Sequence, residues 1–448
     1  MKKNIYLFIF SLITTLSCFS QQSRHVVIIT IDGFRPDFYL DPSWGMVNLR
    51  QMMEEGVSAK SANSKFPTLT FVNHTTILTG ELPVDHGILY NSPFVPKGQS
   101  SEWYWFAKDI KVPTLWDAAK KKGMITAAVN WPVSVGGAID YNIPIVKEKG
   151  VPQLDVIARY STPEGFFEEV QEFATGRLES EDFVVQDSLT VMDANVARIS
   201  AYILRKYKPA LLTLRLSSID HFQHHTGRDS KMVRIAVAGA DRAIREILES
   251  LDRAGIRGNS TIIVTGDHGF INTHTSVSPN LWLKDAGLFT DTKNWKAQFH
   301  TVGGSAFLML KNPIDKASAL KAKTVLENLP PGQRKLFGIV ERHSLDSLGV
   351  DPDPSFGLKA IPGVVFKNSI TEPLLGTHRK GTHGYYPDLP QIKTGFVAYG
   401  AGIRKGLLID NLGLEDIAPL VSKLLGLDLD PKAGVLLRGL LNDELDHQ

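Results

Sequence analysis

The 448-residue chain contains one cysteine, Cys18, and no stretch approaching the roughly 18 uninterrupted apolar residues of a membrane span. The first scarcity excludes a disulfide framework and the second a transmembrane helix. Charge of one sign is scarce too: 49 basic residues face 47 acidic ones, the formal charge is +2, and no long block of either sign occurs. Wrapping of nucleic acid and a polybasic membrane patch are therefore not expected, and any charged substrate must be held locally. There is no glycine-rich phosphate loop of the Walker type, no internal repeat and no low-complexity tract.

Lys2-Lys3, the apolar run Ile5 to Ile13, and Cys18-Phe19-Ser20 before Gln21-Gln22 read as a secretory signal over residues 1–20. Cleavage after Ser20 removes the only cysteine and leaves an exported, periplasmic or secreted protein. Lipidation at Cys18 is the alternative, with Thr15 standing where a bacterial lipobox usually has Leu. Oligomeric state is not legible.

Short β-branched runs followed by turn residues and helical periodicity read as a largely parallel α/β sheet. The expected strands are His25 to Ile31, Ile125 to Val129, Leu211 to Leu216, Thr261 to Thr265 and Gly395 to Tyr399. Helices are expected over Asp229 to Ala254, with Val233, Val237, Ile244, Ile247, Leu248 and Leu251 at three- and four-residue steps, and over Leu414 to Leu425, closed by Gly426. From His274 to Leu375 the pattern loosens into Pro, Gly and short mixed segments. This gives a core over 21–273 and 376–448, interrupted by a cap over 274–375.

Six residues carry the chemistry. Asp32 follows HVVIITI and Asp267-His268 follow TIIVT, so both sets of side chains stand at the end of a buried strand, where open α/β sheets place ligands. Gly266 and Gly269 let the backbone bend there. Asp220 and His224, four residues apart after LLTLRL, face the same side of one helical turn, although His221 and His225 crowd the same segment. His383 lies in the Gly-flanked GTHGYY. Each alone also reads as a turn aspartate or a core histidine; together, three carboxylates and three imidazoles make an O/N set suited to divalent metals such as Zn²⁺. Thr70, in FPTLTFVNH, stands where a helix begins. There the dipole and free N–H groups favour an alkoxide and an incoming phosphate, and an ordinary capping threonine is the plainer use.

With those residues in hand, the chain resembles the type I phosphodiesterase/nucleotide pyrophosphatase family of the alkaline phosphatase superfamily. The motifs are IDGFRPDF, FPTLTFVNHTTILTG with ELPVDHGILYN, PTLWDAAKKKG with NWP, D-x-x-x-H-x-x-G at Asp220 to Gly227, TGDHG and GTHGYYPDLP, in family order over nearly the whole mature chain. The resemblance implies an alkaline-phosphatase-like sandwich, a largely parallel sheet flanked by helices and carrying a cap. It implies two divalent ions, Zn²⁺ foremost, one held by Asp32, Thr70, Asp267 and His268 and the other by Asp220, His224 and His383. It also selects His224 over His221 and His225, makes Thr70 the nucleophile that becomes a phospho-threonine, and gives Asn91 a non-bridging phosphate oxygen.

Departures from the pattern bear on substrate. Members acting on nucleotides usually read TFPNH and carry a Tyr five residues before the first Asp of D-x-x-x-H, whereas this chain has Val72 and Arg215 there. Phe71 is the expected stacking face for a base, and Arg215 the expected partner of a second phosphate or carboxylate. A C–P hydrolase resembling phosphonoacetate hydrolase is the competing activity. A non-catalytic binding protein on the same fold predicts gaps among the ligands, and the sequence has none.

Overall fold

In a computed structural model the described residues are 23–96, 102–183, 191–291, 293–371 and 373–442. The expected signal segment and Cys18 lie outside them. The centre is an eight-stranded sheet in the order Leu407–Gly413, Val57–Asn63, Phe396–Gly400, Ser260–Thr265, His25–Ile31, Leu211–Leu216, Thr126–Val129, Tyr141–Ile143. Every pairing is parallel except those of Phe396–Gly400, which runs antiparallel to both neighbours.

The apolar runs are explained by burial on both faces, as parallel sheets require. In the first strand Val27, Ile29 and Ile31 pack into one apolar cluster, while Val26 and Ile28 enter a second cluster on the opposite side. Fully burying each such side chain is worth about 1.5–3 kcal/mol. The helix expected over 229–254 runs from Lys231 to Arg253, with the Ser230 hydroxyl accepting from the Val233 N–H at 3.3 Å. The one expected from Leu414 begins as a 3₁₀ turn, becomes α-helical at Ile417, and ends at Gly426 in the left-handed region (φ 64°).

Between residues 271 and 382 two smaller sheets form. One is four-stranded and antiparallel (Ala297–Thr301, Ser305–Leu310, Phe337–Glu341, Phe356–Ala360), and the other is three-stranded (Ile271–Val277, Val364–Phe366, Leu375–Thr382). Their cluster, with Trp282, Phe289, Phe299 and Phe356, is separate from the two beside the main sheet.

Strand order positions the site. Ser260–Thr265, His25–Ile31 and Leu211–Leu216 are consecutive in the sheet, so the turns at their carboxyl ends bring Asp267, Asp32 and Asp220 to one edge.

Candidate metal centre

The turn after Thr265 is tied to the turn after Ile31, because the Gly33 N–H donates to Asp267 Oδ1 at 3.1 Å. Gly33 has φ 69°, which a side chain would strain. Asp32, Asp267 and His268 are fully buried, and one ligand atom from each lies within 4.8 Å of the others. His268 Nε2 is 3.5 Å from Asp32 Oδ1 and 3.3 Å from Asp267 Oδ2.

Asp220 and His224 sit on the helix Ser218–Thr226, with His224 Nε2 3.5 Å from Asp220 Oδ1. His383 Nε2 is 3.8 Å from that same oxygen, and its ring stacks on His268 at 3.6 Å. His221 and His225 stack on each other instead, at 4.2 Å. The six candidates lie together, with Asp220, His268 and His383 offering ligand atoms within 4.8 Å of one another and His224 standing beside this group through Asp220. His383 is oriented by Nδ1, which donates to the Thr68 carbonyl at 2.9 Å. Thr68 itself has φ 36°, a strained conformation for a β-branched residue.

Thr70 is the first residue of the helix Thr70–Thr79, after Leu69, which makes no side-chain cap. Its hydroxyl is not a cap; Oγ1 lies 3.4 Å from His268 Nε2. Asn91 Oδ1 accepts from the Phe71 N–H at 3.0 Å, against that first turn.

Burial, together with repulsion from Asp32, pushes the Asp220 and Asp267 carboxyls well above the usual carboxylate range. Burial opposes charge on Asp32 as well, but the Arg215 guanidinium and the His268 and His74 rings outweigh it and hold that carboxyl below its ordinary value. Burial lowers His268 and His224 to about 4 and His383 well below its ordinary value. Asp32 Oδ1, Asp220 Oδ1 and Asp267 Oδ2 are buried without a hydrogen-bond partner. Crowded carboxylate oxygens beside neutral imidazoles are the donor set of a divalent cation, so these residues fit the expected metals.

Two expected substrate groups are placed differently from expectation. Phe71 is fully buried, its ring covered edge-on by Trp103 at 5.1 Å and Trp105 at 5.5 Å, so it offers no open face. Trp103, 45 % exposed and stacked on Trp105 at 5.6 Å, presents one. Arg215 is buried and binds Asp32 Oδ2 through Nε at 2.9 Å and through Nη2, while Nη1 is unpartnered. The strand end points it back into the centre, because its register partner across the parallel pair is Thr30, two residues before Asp32.

A cleft of about 850 Å³ joins Arg215, Asp220 and His224 to Trp103, Lys147 and Lys149. Sequence reasoning missed Trp103, the two lysines and Asn130, whose Nδ2 donates to the Arg215 carbonyl at 2.9 Å. The WYW run at 103–105 and the lysines in IVKEKG were visible, but without the fold nothing tied them to Asp220.

A family model described as type I phosphodiesterase / nucleotide pyrophosphatase matches residues 26–385. An uncharacterised pyrophosphatase/phosphodiesterase of Schizosaccharomyces pombe is 28% identical over 58% of this chain and 47% of its own length. Human ectonucleotide pyrophosphatase/phosphodiesterase family member 1 is 23% identical over 93% of this chain and 41% of its own length. The chain thus spans less than half the length of these two relatives. Mouse family member 7 is 22% identical over 92% of this chain and 86% of its own. Among solved structures, human ectonucleotide pyrophosphatase/phosphodiesterase 5 has a TM-score of 0.68 at 19% identity, covering 94% of this chain and 100% of that one. An inactive murine form of the same protein in complex with AMP gives 0.67 at 19%, over 94% of this chain and 100% of its own.

Proposed function

Because the chain belongs to the type I phosphodiesterase/nucleotide pyrophosphatase family of the alkaline phosphatase superfamily, we propose that it hydrolyses phosphodiester or nucleotide pyrophosphate bonds through Thr70. The observation that carries this reading is the Thr70 hydroxyl, 3.4 Å from His268 at the edge of the buried Asp32 and Asp267 and the half-buried Asp220, each with an unpaired oxygen. Asp32, Asp267 and His268 with Thr70 would hold one divalent ion, and Asp220, His224 and His383 the other, with Zn²⁺ the best match to the donors. When bound, the ions supply Lewis acidity and neutralise phosphoryl charge.

Thr70 Oγ, having lost its proton to solvent, forms a bond to phosphorus as the bond to the leaving oxygen breaks in line. Water then cleaves the phospho-threonine and restores the hydroxyl. Asn91, its Oδ1 engaged by the Phe71 N–H, keeps Nδ2 to donate to a non-bridging oxygen. Trp103, rather than Phe71, provides the flat face for a base, and Lys147 and Lys149 provide charge for an anionic substituent. The AMP bound to the murine neighbour supports a nucleotide substrate.

Residues 274–375 form the cap in this reading. Export follows from the basic and apolar N-terminus and agrees with a venom phosphodiesterase among the relatives. Among the described residues no helix is long and apolar enough to cross a membrane.

The test is a hydrolysis panel on purified, zinc-loaded protein and its Thr70→Ala variant. It compares a nitrophenyl phosphodiester, a dinucleotide pyrophosphate, a glycerophosphodiester, phosphonoacetate and a phosphomonoester. Turnover of the first two, lost in Thr70→Ala while metal is retained, is the expected result. Turnover of phosphonoacetate alone, or full activity in Thr70→Ala, overturns the proposal.

A further inference from the structure

His74 is one turn into the helix that begins at Thr70, and it is fully buried. Its Nδ1 lies 2.8 Å from the Thr70 carbonyl oxygen and 3.7 Å from Asp267 Oδ2. Its Nε2 lies 2.9 Å from the hydroxyl of Thr30, two residues before Asp32. The ring meets Trp131 edge-on at 4.9 Å. One side chain therefore touches the carbonyl of the proposed nucleophile and the strand that delivers one candidate ligand, and it stands beside a second.

The partners fix the tautomer. A carbonyl only accepts, so Nδ1 carries the proton and donates to Thr70; Nε2 then accepts, and the Thr30 hydroxyl, which also lies 3.2 Å from the Leu214 carbonyl, turns its one proton to the ring at 2.9 Å.

The helix start needs such support. Leu69 provides no side-chain cap; Asn91 takes the Phe71 N–H from outside the helix at 3.0 Å, and within the turn Asn73 Nδ2 donates to the Leu69 carbonyl at 3.1 Å and His74 to the Thr70 carbonyl. Without the His74 contact the Thr70 carbonyl loses its side-chain donor, and the residue that carries the hydroxyl is held less firmly beside His268.

We propose that His74 is a positioning residue for the reaction: its imidazole, braced by Thr30 and Trp131, fixes the Thr70 carbonyl and so the aim of the Thr70 hydroxyl. A histidine that merely fills the core would touch these groups by accident. The two roles predict opposite orders of substitution. Phenylalanine keeps the ring's volume and loses the donor, whereas asparagine leaves a gap and places Nδ2 where Nδ1 donates.

The inference rests on Thr70 being the nucleophile, so Thr70→Ala is measured alongside on the full chain with zinc. His74→Phe should lower kcat on a nitrophenyl diester by about 10- to 100-fold, the scale of a misplaced reactive group, with KM within about twofold and zinc content unchanged. His74→Asn should recover kcat to within a few-fold of wild type despite a lower melting temperature. Thr30→Val, nearly isosteric, removes the brace on Nε2 and should reduce kcat several-fold, which keeps the test decisive if His74→Phe does not fold. His74→Phe more active than His74→Asn, or Thr30→Val at wild-type kcat, overturns the positioning role. If Thr70→Ala is inactive and these variants behave so, only His74 is wrongly assigned; if Thr70→Ala is active, the nucleophile itself is wrong.

Discussion

Arg215 grips the Asp32 carboxylate with Nε at 2.9 Å and with Nη2, so the arginine expected to clamp a substrate anion is a partner of a candidate metal ligand. Asp32 uses Oδ2 for this pair and leaves Oδ1 unpartnered. A buried cation on a ligating carboxylate sets that ligand's orientation and charge.

Arg215→Ala should therefore lower kcat/KM for a simple aryl diester and for a nucleotide pyrophosphate by similar factors, on the order of 10-fold, the worth of a charge-assisted pair. Steady-state kinetics on both substrates decides it. A rise in KM confined to the pyrophosphate would return Arg215 to the role of substrate clamp.

Ligand assignments are checked by metal content. Asp267→Asn and His383→Ala each remove a donor from a different trio of side chains, so each variant should hold less zinc than wild type as well as turn over more slowly. Elemental analysis after dialysis gives the number. Two ions retained in both variants at wild-type stoichiometry would refute the assignment.

The pieces legible in the sequence were those with both a period and a stop. His25–Ile31 and Leu211–Leu216 match their expected bounds because strands covered on both faces must be apolar throughout. Val57–Asn63 and Leu407–Gly413 went unrecognised. The first reads VSAKSAN, and the pair lies at the sheet edge with Lys60 and Asp410 exposed and bridged at 2.8 Å, so only some of their positions, such as Val57, Ala59 and Leu412, are covered and must be apolar. The six metal-site candidates were legible because each stands at a fixed offset from a strand or motif. Trp103 and the Arg215–Asp32 pair were not, because side-chain direction at a strand end depends on which strands are neighbours.

His86 gives a pH prediction independent of the metal ligands. It is buried, Nδ1 accepts from the Ile88 N–H at 3.1 Å, and Nε2 meets the Thr76 hydroxyl at 3.1 Å, a set that needs the neutral ring. Burial lowers it to about 3, against about 6.5 unfolded. The unfolded chain thus binds the proton first. The stability due to neutral His86 is complete above about pH 6.5 and is lost as pH falls toward 3, on the order of 1 kcal/mol per pH unit. Urea unfolding between pH 7 and pH 5 should show a steeper loss in wild type than in His86→Phe. Equal slopes would mean the ring takes up its proton in the fold over the same pH range as in the unfolded chain.

Diesters should be hydrolysed faster than matched monoesters, because a monoester brings a second negative charge to the phosphoryl oxygens and needs a free cation to meet it. Arg35 is spent on Asp37, Asp229, Gln223 and the Arg228 carbonyl. Arg215 is spent on Asp32, and Lys147 and Lys149 are exposed residues of the outer cleft, leaving neutral Asn91 as the proposed donor. A preference in kcat/KM on the order of 10- to 100-fold for bis-nitrophenyl phosphate over nitrophenyl phosphate is expected, the scale of one missing charge-assisted contact. The reverse order would mean that a cation reaches the phosphoryl group. Arg215 Nη1, the uncommitted nitrogen of that guanidinium, would be the atom to examine, and Arg215→Lys should then abolish the monoester advantage while sparing the diester.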